Sequence, residues 1–423
     1  MKKQNSSLSF GLVQVVVIAA FGASWAFQSV EARSLIEEEF LHQEPFVPVS
    51  VPRNEPLRVQ PLYDRPDWIT DEDLAAVLLK IQPPFSRKEM KPNHVEHALR
   101  TWGIDATFQN PEIVSGQEML EFLTDSAKFM ESWGEEVRPF LEDKPGGVEV
   151  KWGPETGRSY HHDHWLACVT EAGATLDTPV YAPSRRHSTL NDVLQEAMRD
   201  FRLDEREIEW TAMGFGLWIS PHKTWIGSGG RKYSFDLIVD RLMRGHKVLG
   251  VCVGTHRVYS LMLLIRLDDE FDILSDSARE QAYAYLESIR DLITASQFED
   301  GHWSEGWHRG AEEVTDPTDG EFYRSIIATG HHLEWLSIAP PELHPPEEKI
   351  KKAVDWIIDV TKQQTRSDVK TRFTFLTHVG SALCNWRQVR PADFWRDWQK
   401  QHPWDPSQDE PEESEEEAAL ESH

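Results

Sequence analysis

Apolar residues spaced three and four positions apart dominate the middle of the chain. From about Trp68 to Gln401 this helical period recurs, whereas the strict alternation of half-buried strands is scarce. The pattern predicts an all-α body with ten or more helices. The predicted helices span residues 71–80, 94–102, 116–133, 190–201, 204–219, 235–244, 251–267, 277–297, 323–338, 346–364 and 378–387.

A weak repeat runs through these helices. In two copies a helix leads into a Trp-containing loop, and the chain then reaches a histidine that opens an apolar run. Trp225 precedes His256 by 31 residues, and Trp303 precedes His331 by 28. Truncated copies end at His164 and at His378. Helix pairs that bury one face on their neighbours build solenoids or closed rings.

One copy of the repeat resembles a known family. Gln297, followed by Asp300-Gly301-x-Trp303, resembles the QW motif of squalene-hopene cyclases, and the helix of Thr329-Gly330 is similar to the inner helix of that repeat. The resemblance to these cyclases and to the related protein prenyltransferases implies an (α/α) toroid of about five or six helical hairpins, which we assign to residues 67–402. It does not imply their activity, because the DxDD acid of the cyclases does not occur here.

Histidines at the starts of inner helices would converge at one end of such a ring. Neutral imidazole is the commonest zinc ligand and also serves as a general acid or base. Cys168 follows His164 by four residues and Cys252 precedes His256 by four, so a His/Cys zinc site is possible. Alternatively, the histidines only cap helices and bond to loop backbone, and they recur because the repeat recurs. The candidate ligands of a divalent metal such as zinc are His164, His256, His332 and His378.

A polysaccharide lyase built on the same ring is an alternative. Such an enzyme would use Tyr or His for proton abstraction beside an Arg that neutralises a uronate carboxylate. The candidate catalytic residues are His256, His331, Tyr233 and Arg257. In this interpretation Trp225, Trp303 and Trp307 are sugar-stacking platforms, although in a repeat such residues more often serve inter-repeat packing. Residues 268–272 match a DDxxD magnesium motif superficially, and we interpret them as a solvated acidic turn.

Composition narrows the possible partners. The 423 residues include 44 Lys plus Arg and 71 Asp plus Glu, which gives a net charge of −27. Such a charge argues against nucleic acid as a partner, because a sequence-independent grip needs a basic face. A small molecule or a carbohydrate remains a possible ligand. Three scattered cysteines exclude a disulfide framework.

The two ends of the chain differ from its body. In residues 1–32, Lys2 and Lys3 precede an apolar run over 8–27, which predicts either a signal peptide cleaved near Ala32 or an uncleaved membrane anchor. We therefore expect an exported protein, periplasmic or extracytoplasmic, or anchored in the cytoplasmic membrane through this segment alone. Residues 33–66 are Pro-rich and predict an extended linker, and residues 403–423 predict an acidic disordered tail.

These patterns together predict an exported cell-envelope protein with a histidine-lined central cavity that binds a ligand or a metal. Whether the protein is an enzyme stays open at this point, and so do the substrate, the reaction and the oligomeric state. The alternatives are a non-catalytic scaffold or binding protein of the envelope and the carbohydrate-active lyase. The chain contains no P-loop, GxSxG, HExxH or dinucleotide-binding motif.

Overall fold

The computed structural model describes residues 13–17, 19–20, 22, 24, 48–184, 187–227, 230–244 and 251–406. The predicted tail beyond residue 406, the linker up to residue 47 and most of the predicted export segment lie outside these ranges. The described part is mostly helical, which confirms the all-α class. Within it, no helix combines the length and the apolar character needed to cross a membrane.

Helices are numbered here from Asp71 onward, and between them lie short antiparallel strand pairs and single turns of 3₁₀ helix. The helices are α1 Asp71–Lys80, α2 Pro92–Trp102, α3 Gly116–Thr124, α4 Ser126–Trp133, α5 His164–Glu171, α6 Leu190–Asp200, α7 Glu209–Ile219, α8 Phe235–Arg244, α9 Thr255–Phe271, α10 Asp276–Ser296, α11 Ala311–Thr315, α12 Phe322–Ile338, α13 Glu347–Gln363, α14 Arg366–Trp386 and α15 Pro391–Gln401. The strand pairs are β1 Leu141–Asp143 with β2 Val148–Val150, β3 Pro179–Val180 with β4 Ser188–Thr189, and β5 Thr224–Ile226 with β6 Lys232–Ser234.

Six helices contact one another in a closed order. Helix α2 contacts α5, α5 contacts α7, α7 contacts α9, α9 contacts α12, α12 contacts α14, and α14 contacts α2 again. They are the inner helices, and they are buried on most sides; every residue of α7 is buried. Helices α1, α3, α8, α10 and α13 pack against them from outside. A helix that is apolar all round must be covered by other elements on all sides, whereas an amphipathic helix needs a packing partner on one face only.

Local sequence sets the helix ends. Thr70 and Ser275 cap α1 and α10 through their side chains, and α14 begins with a capping box between Thr365 and Asp368. The inner helices α12 and α14 begin well before their apolar runs, and their first turns are mostly exposed or half-exposed. His331 and His378 therefore lie in mid-helix, and the expectation that a helix begins at His378 is wrong.

The segment that resembles a QW motif ties α10 to its neighbours. Gln297 Nε2 donates to the Gly301 carbonyl oxygen at 2.7 Å and to that of Lys349 at 2.8 Å. The indole of Trp303 is fully buried, and its Nε1 donates to the Ile293 carbonyl oxygen at 2.7 Å. Trp225 and Trp307 are buried as well, so these three tryptophans are packing residues rather than exposed sugar platforms.

The predicted solvated acidic turn at residues 268–272 is partly wrong. Asp268 is buried; it accepts from the Leu274 backbone N–H at 2.7 Å and from Arg279 at 2.6 Å. Arg279 also pairs with Asp269. The carboxylates thus stabilise the connection from α9 to α10, because the burial of Asp268 is compensated by a cation and a backbone donor.

The described part of the predicted linker lies on the body. Its backbone N–H groups at Leu57, Leu62 and Arg65 donate to carbonyl oxygens of α7, α12 and α14, at 3.0, 3.0 and 2.8 Å. We call residues 53–65 the N-terminal strap. The strap is extended, as a Pro-rich composition predicts, but it is packed across the C-terminal ends of inner helices rather than free.

Candidate functional site

One ring side chain from each inner helix meets the others at the centre of the closed order. All six are buried, five of them are imidazoles, and we call them the histidine circle. Its members are His97 of α2, His164 of α5, Trp210 of α7, His256 of α9, His331 of α12 and His378 of α14.

Every ring of the circle contacts the rings of the two neighbouring helices. The centroid distances are 4.5 Å for His97–His164, 4.3 Å for His164–Trp210, 4.3 Å for Trp210–His256, 4.8 Å for His256–His331, 3.9 Å for His331–His378 and 5.4 Å for His378–His97. The circle is therefore closed.

Burial keeps these imidazoles neutral. It lowers the pKa of His331 to about 4 and that of His256 well below the ordinary value, with the neighbouring imidazoles lowering the latter further. The pKa values of His97, His164 and His378 are lowered for the same reason. Neutral imidazoles each keep one nitrogen lone pair, which is what a metal ion or an acid needs.

The tautomers of two members follow from their partners. His331 Nδ1 lies 2.7 Å from the Ile327 carbonyl oxygen, which only accepts, so the proton of His331 is on Nδ1. Its Nε2 then accepts from His256 Nε2 at 3.2 Å. This leaves a lone pair on His256 Nδ1, a buried atom without a partner among the described residues.

Cys252 comes close to the same two histidines. Its Sγ and one nitrogen each of His256 and His331 lie within 4.8 Å of one another. Cys252 belongs to the turn Val251–Gly254 before α9, where its φ is +48° and that of Val253 is +54°. A β-branched residue rarely adopts such a φ, and strain of this kind concentrates at functional sites.

Contacts on both sides hold this strained turn. Thr255 Oγ1 donates to the Cys252 carbonyl oxygen at 2.7 Å, and Trp307 Nε1 donates to that of Val253 at 3.2 Å. Burial raises the pKa of the Cys252 thiol well above its ordinary value. The sulfur is thus a protonated thiol near neutral pH unless a cation binds beside it.

Two carboxylate–imidazole pairs lie on the side of the histidine circle where helices α2 and α5 begin. Glu96 bonds to His164 Nδ1 inside the body, and Glu207 bonds to His161 at 2.6 Å near the surface. Burial raises the pKa of Glu96 to about 8. The net effect on Glu207 is the opposite, because its bond to His161 and the charge of that ring outweigh partial burial and lower its pKa.

Beyond the circle, toward the C-terminal ends of the inner helices, lies an ion-pair floor. Arg100 pairs with Glu171 and with Glu334, the latter at 2.7 Å, and Tyr259 donates to Glu171 at 2.9 Å. Glu334 also lies 2.9 Å from His378 Nδ1. Burial alone would lower the pKa of Arg100, but the two carboxylates raise it well above its ordinary value.

Not all of the predicted site residues meet at the centre. His332 contacts the rings of Trp303 and Trp307 and accepts from Trp335 Nε1 at 3.0 Å, so it is not beside His256. Tyr233 packs on Phe201 instead.

Of the remaining candidates, Arg257 follows His256 in the chain and forms a buried ion pair with Glu209 at 2.8 Å. His164 belongs to the circle, but its Nδ1 is engaged by Glu96. The structure therefore brings His256, His331 and His378 together from the predicted set and adds Cys252.

In comparisons with protein-family models, curated proteins and solved structures, nothing matches this chain. The interpretation of the centre therefore rests on its own geometry.

Sequence reasoning missed the contribution of α2. Glu96, His97 and Arg100 all face the centre, but no Trp-containing loop of the repeat precedes them. A usable signal is the recurrence of a polar partner three residues after a circle histidine. The pairs are His97 with Arg100, His256 with Tyr259 and His331 with Glu334. Residues three apart share a helix face, so this spacing places both members of each pair toward the centre.

Proposed function

We propose that the chain is an exported α/α-toroid protein whose centre binds a divalent metal ion such as zinc through Cys252, His256 and His331. The observation that carries the metal site is the approach of the three ligand atoms to within 4.8 Å of one another. The closed order of the six inner helices supports the toroid, and the segment at Gln297–Trp303 supports the resemblance to the cyclase and prenyltransferase repeats.

The spacing of the two nitrogens suits tetrahedral coordination. Zinc–nitrogen bonds of 2.0–2.1 Å at a tetrahedral angle separate two ligand nitrogens by about 3.3 Å. The Nε2 atoms of His256 and His331 are 3.2 Å apart, and an ion between them would take the place of their hydrogen bond while the proton of His256 moves to Nδ1. The bond from His331 Nδ1 to the Ile327 carbonyl oxygen is the outer-shell contact that orients a ligating imidazole.

The sulfur needs a small displacement to join them. A tetrahedral zinc ion separates thiolate sulfur from imidazole nitrogen by about 3.5 Å. Cys252 lies within 4.8 Å of both histidines, so closing the turn Val251–Gly254 by about 1 Å completes the set. Metal binding would also displace the proton of the thiol, and the bound cation would offset the cost of burying the thiolate charge.

Three protein ligands leave one coordination position open. This is the ligand count of catalytic zinc sites, where the open position takes water or substrate and the metal acts as a Lewis acid. Cys252 is only partly buried, whereas His256 and His331 are buried. We therefore favour a metal-dependent enzyme over an envelope scaffold without metal. The lyase alternative loses support, because Tyr233 packs away from His256.

Metal content tests the proposal directly. The purified protein is incubated with zinc, dialysed and analysed by elemental mass spectrometry, beside the variants His256→Ala, His331→Ala and Cys252→Ser. We expect one equivalent of zinc in the parent and its loss in both histidine variants. The matched control is His332→Ala. His332 is as buried as His331 and lies beside it on α12, but its ring contacts Trp303.

Circular dichroism shows whether each variant is folded, so that loss of metal is separated from loss of structure. Zinc absent from the folded parent, or retained in both folded histidine variants, refutes the metal site. In that case the histidine circle is a packing layer and the scaffold alternative takes precedence.

A further inference from the structure

A cavity of about 530 Å³ lies on the side of the histidine circle away from Cys252. In every inner helix the residues that line it follow the circle residue of that helix, as Tyr259 follows His256 and Glu334 follows His331. The cavity therefore lies at the C-terminal ends of the inner helices, away from the turn of Cys252. Its volume is in the range of small-molecule sites.

The strap covers part of this cavity. Residues Leu57–Pro61 line it, and they are held by the bond from Leu57 N to the Leu217 carbonyl oxygen and by Gln388 Nε2, which donates to the Pro61 carbonyl oxygen at 3.1 Å. The N-terminal strap therefore forms one part of the cavity wall, and the inner helices form another.

The floor of the cavity carries excess negative charge. One guanidinium, that of Arg100, faces two carboxylates, those of Glu171 and Glu334. Glu171 is the carboxylate nearer the cavity surface, with 16% of its side chain exposed against 2% for Glu334. A buried carboxylate without a full counter-charge is costly, and a cationic group of a ligand would offset that cost.

The rim carries the opposite charge. Arg58 of the strap lines the cavity, is exposed, and has no ion pair within the described part of the chain. Between floor and rim the wall carries both apolar and polar side chains. Its apolar members include Leu57, Val59, Leu217, Leu263, Ile338 and Val389, and its polar members include Gln60, Ser381, Asn385 and Gln388.

We propose that this cavity binds a small zwitterion with an apolar body, of the class of a dipeptide, with its ammonium group at Glu171 and its carboxylate at Arg58. Both charged groups line the cavity, and the apolar side chains of the wall line it with them. A neutral sugar suits the site less well, because Trp102 and Tyr259 are almost fully buried and offer no stacking face. The proposal does not depend on the metal centre.

Titration calorimetry on the whole protein tests this assignment with four probes that share one apolar body. They are leucyl-leucine, its C-terminal amide, its N-acetyl derivative and the N-acetyl amide. We expect saturable binding of leucyl-leucine with one ligand per chain. Each blocked end removes one charge contact, so each is expected to weaken binding by roughly tenfold.

Two variants assign the charges to residues. Arg58→Ala, at an exposed position, should lower the affinity for leucyl-leucine to that for its amide and leave the amide unaffected. Glu171→Gln should weaken both probes that have a free amino group. Equal binding of all four probes, or no binding of leucyl-leucine at millimolar concentration, overturns the proposal. Binding that persists in His256→Ala shows that the two sites are independent, so failure of the metal site would leave this result intact.

Discussion

The pair formed by Glu96 and His164 gives a quantitative test of the buried centre. Glu96 is fully buried and bonds to His164 Nδ1, and burial raises its pKa to about 8 from an ordinary value of 4.5. The folded protein therefore keeps the proton of Glu96 at pH values where the unfolded chain has released it. The substitution Glu96→Gln replaces the protonated carboxyl by a neutral group of the same shape.

The magnitude follows from linkage. A raised pKa in the folded state stabilises the fold fully below pH 4.5, and this contribution is lost as pH rises through 8. Over pH 6.5 to 8.5 the Glu96 contribution therefore falls by about 2 kcal/mol, because each pH unit below the folded pKa is worth about 1.4 kcal/mol. Buried histidines such as His256 have lowered pKa values, so their effect on stability lies mostly at and below the acid end of this interval, and they are present in both proteins.

Urea unfolding at several pH values between 6.5 and 8.5, followed by circular dichroism, measures the effect. The parent should lose about 2 kcal/mol of unfolding free energy relative to Glu96→Gln across this interval. Glu207→Gln is the matched control, because the pKa of Glu207 is lowered and its contribution is constant there. Parallel curves for the parent and Glu96→Gln would refute the reasoning.

Three further substitutions test the packing of the body by urea unfolding. Gly301→Ala should cost about 3 kcal/mol, since the φ of Gly301 is +108° and a Cβ would lie 2.4 Å from the Lys352 carbonyl oxygen; an unchanged midpoint contradicts this. Arg100→Met should cost about 3–5 kcal/mol because two buried carboxylates lose their cation. Adding Glu334→Gln should recover part of this loss, and strictly additive costs would argue against a shared network. Thr365→Ala should cost about 1 kcal/mol through its helix cap, and no loss would show that the cap is dispensable.

Amphipathic helices were the most predictable elements. The predicted ranges 71–80 and 235–244 agree with α1 and α8, because one face of each is polar and the period marks both ends. The inner helix α7 begins at Glu209, although the pattern predicts residue 204. A helix that is apolar all round has no such contrast, and its start depends on packing that the sequence does not display.

The candidate site was predictable in part. The repeat pointed to His256 and His331, and the four-residue spacing drew attention to Cys252. His332 points away from the centre, because consecutive helical residues point about 100° apart and the neighbouring His331 faces His256. Glu96 could not be paired with His164 from sequence, since only the contact between α2 and α5 brings them together.

The closed order of the inner helices also fixes when the centre can form during synthesis. Helix α2 closes the order of contacts through α14, and Arg65 of the strap bonds to Trp386 of the same helix. A ribosome adds residues at about 5–20 per second, so the early helices wait for tens of seconds before their last neighbour exists. The nascent chain therefore exposes its imidazoles and apolar inner faces throughout that time. A polypeptide truncated before α14 would lack the final imidazole and present an unclosed apolar edge, which makes the incomplete chain a natural target for chaperones and proteases.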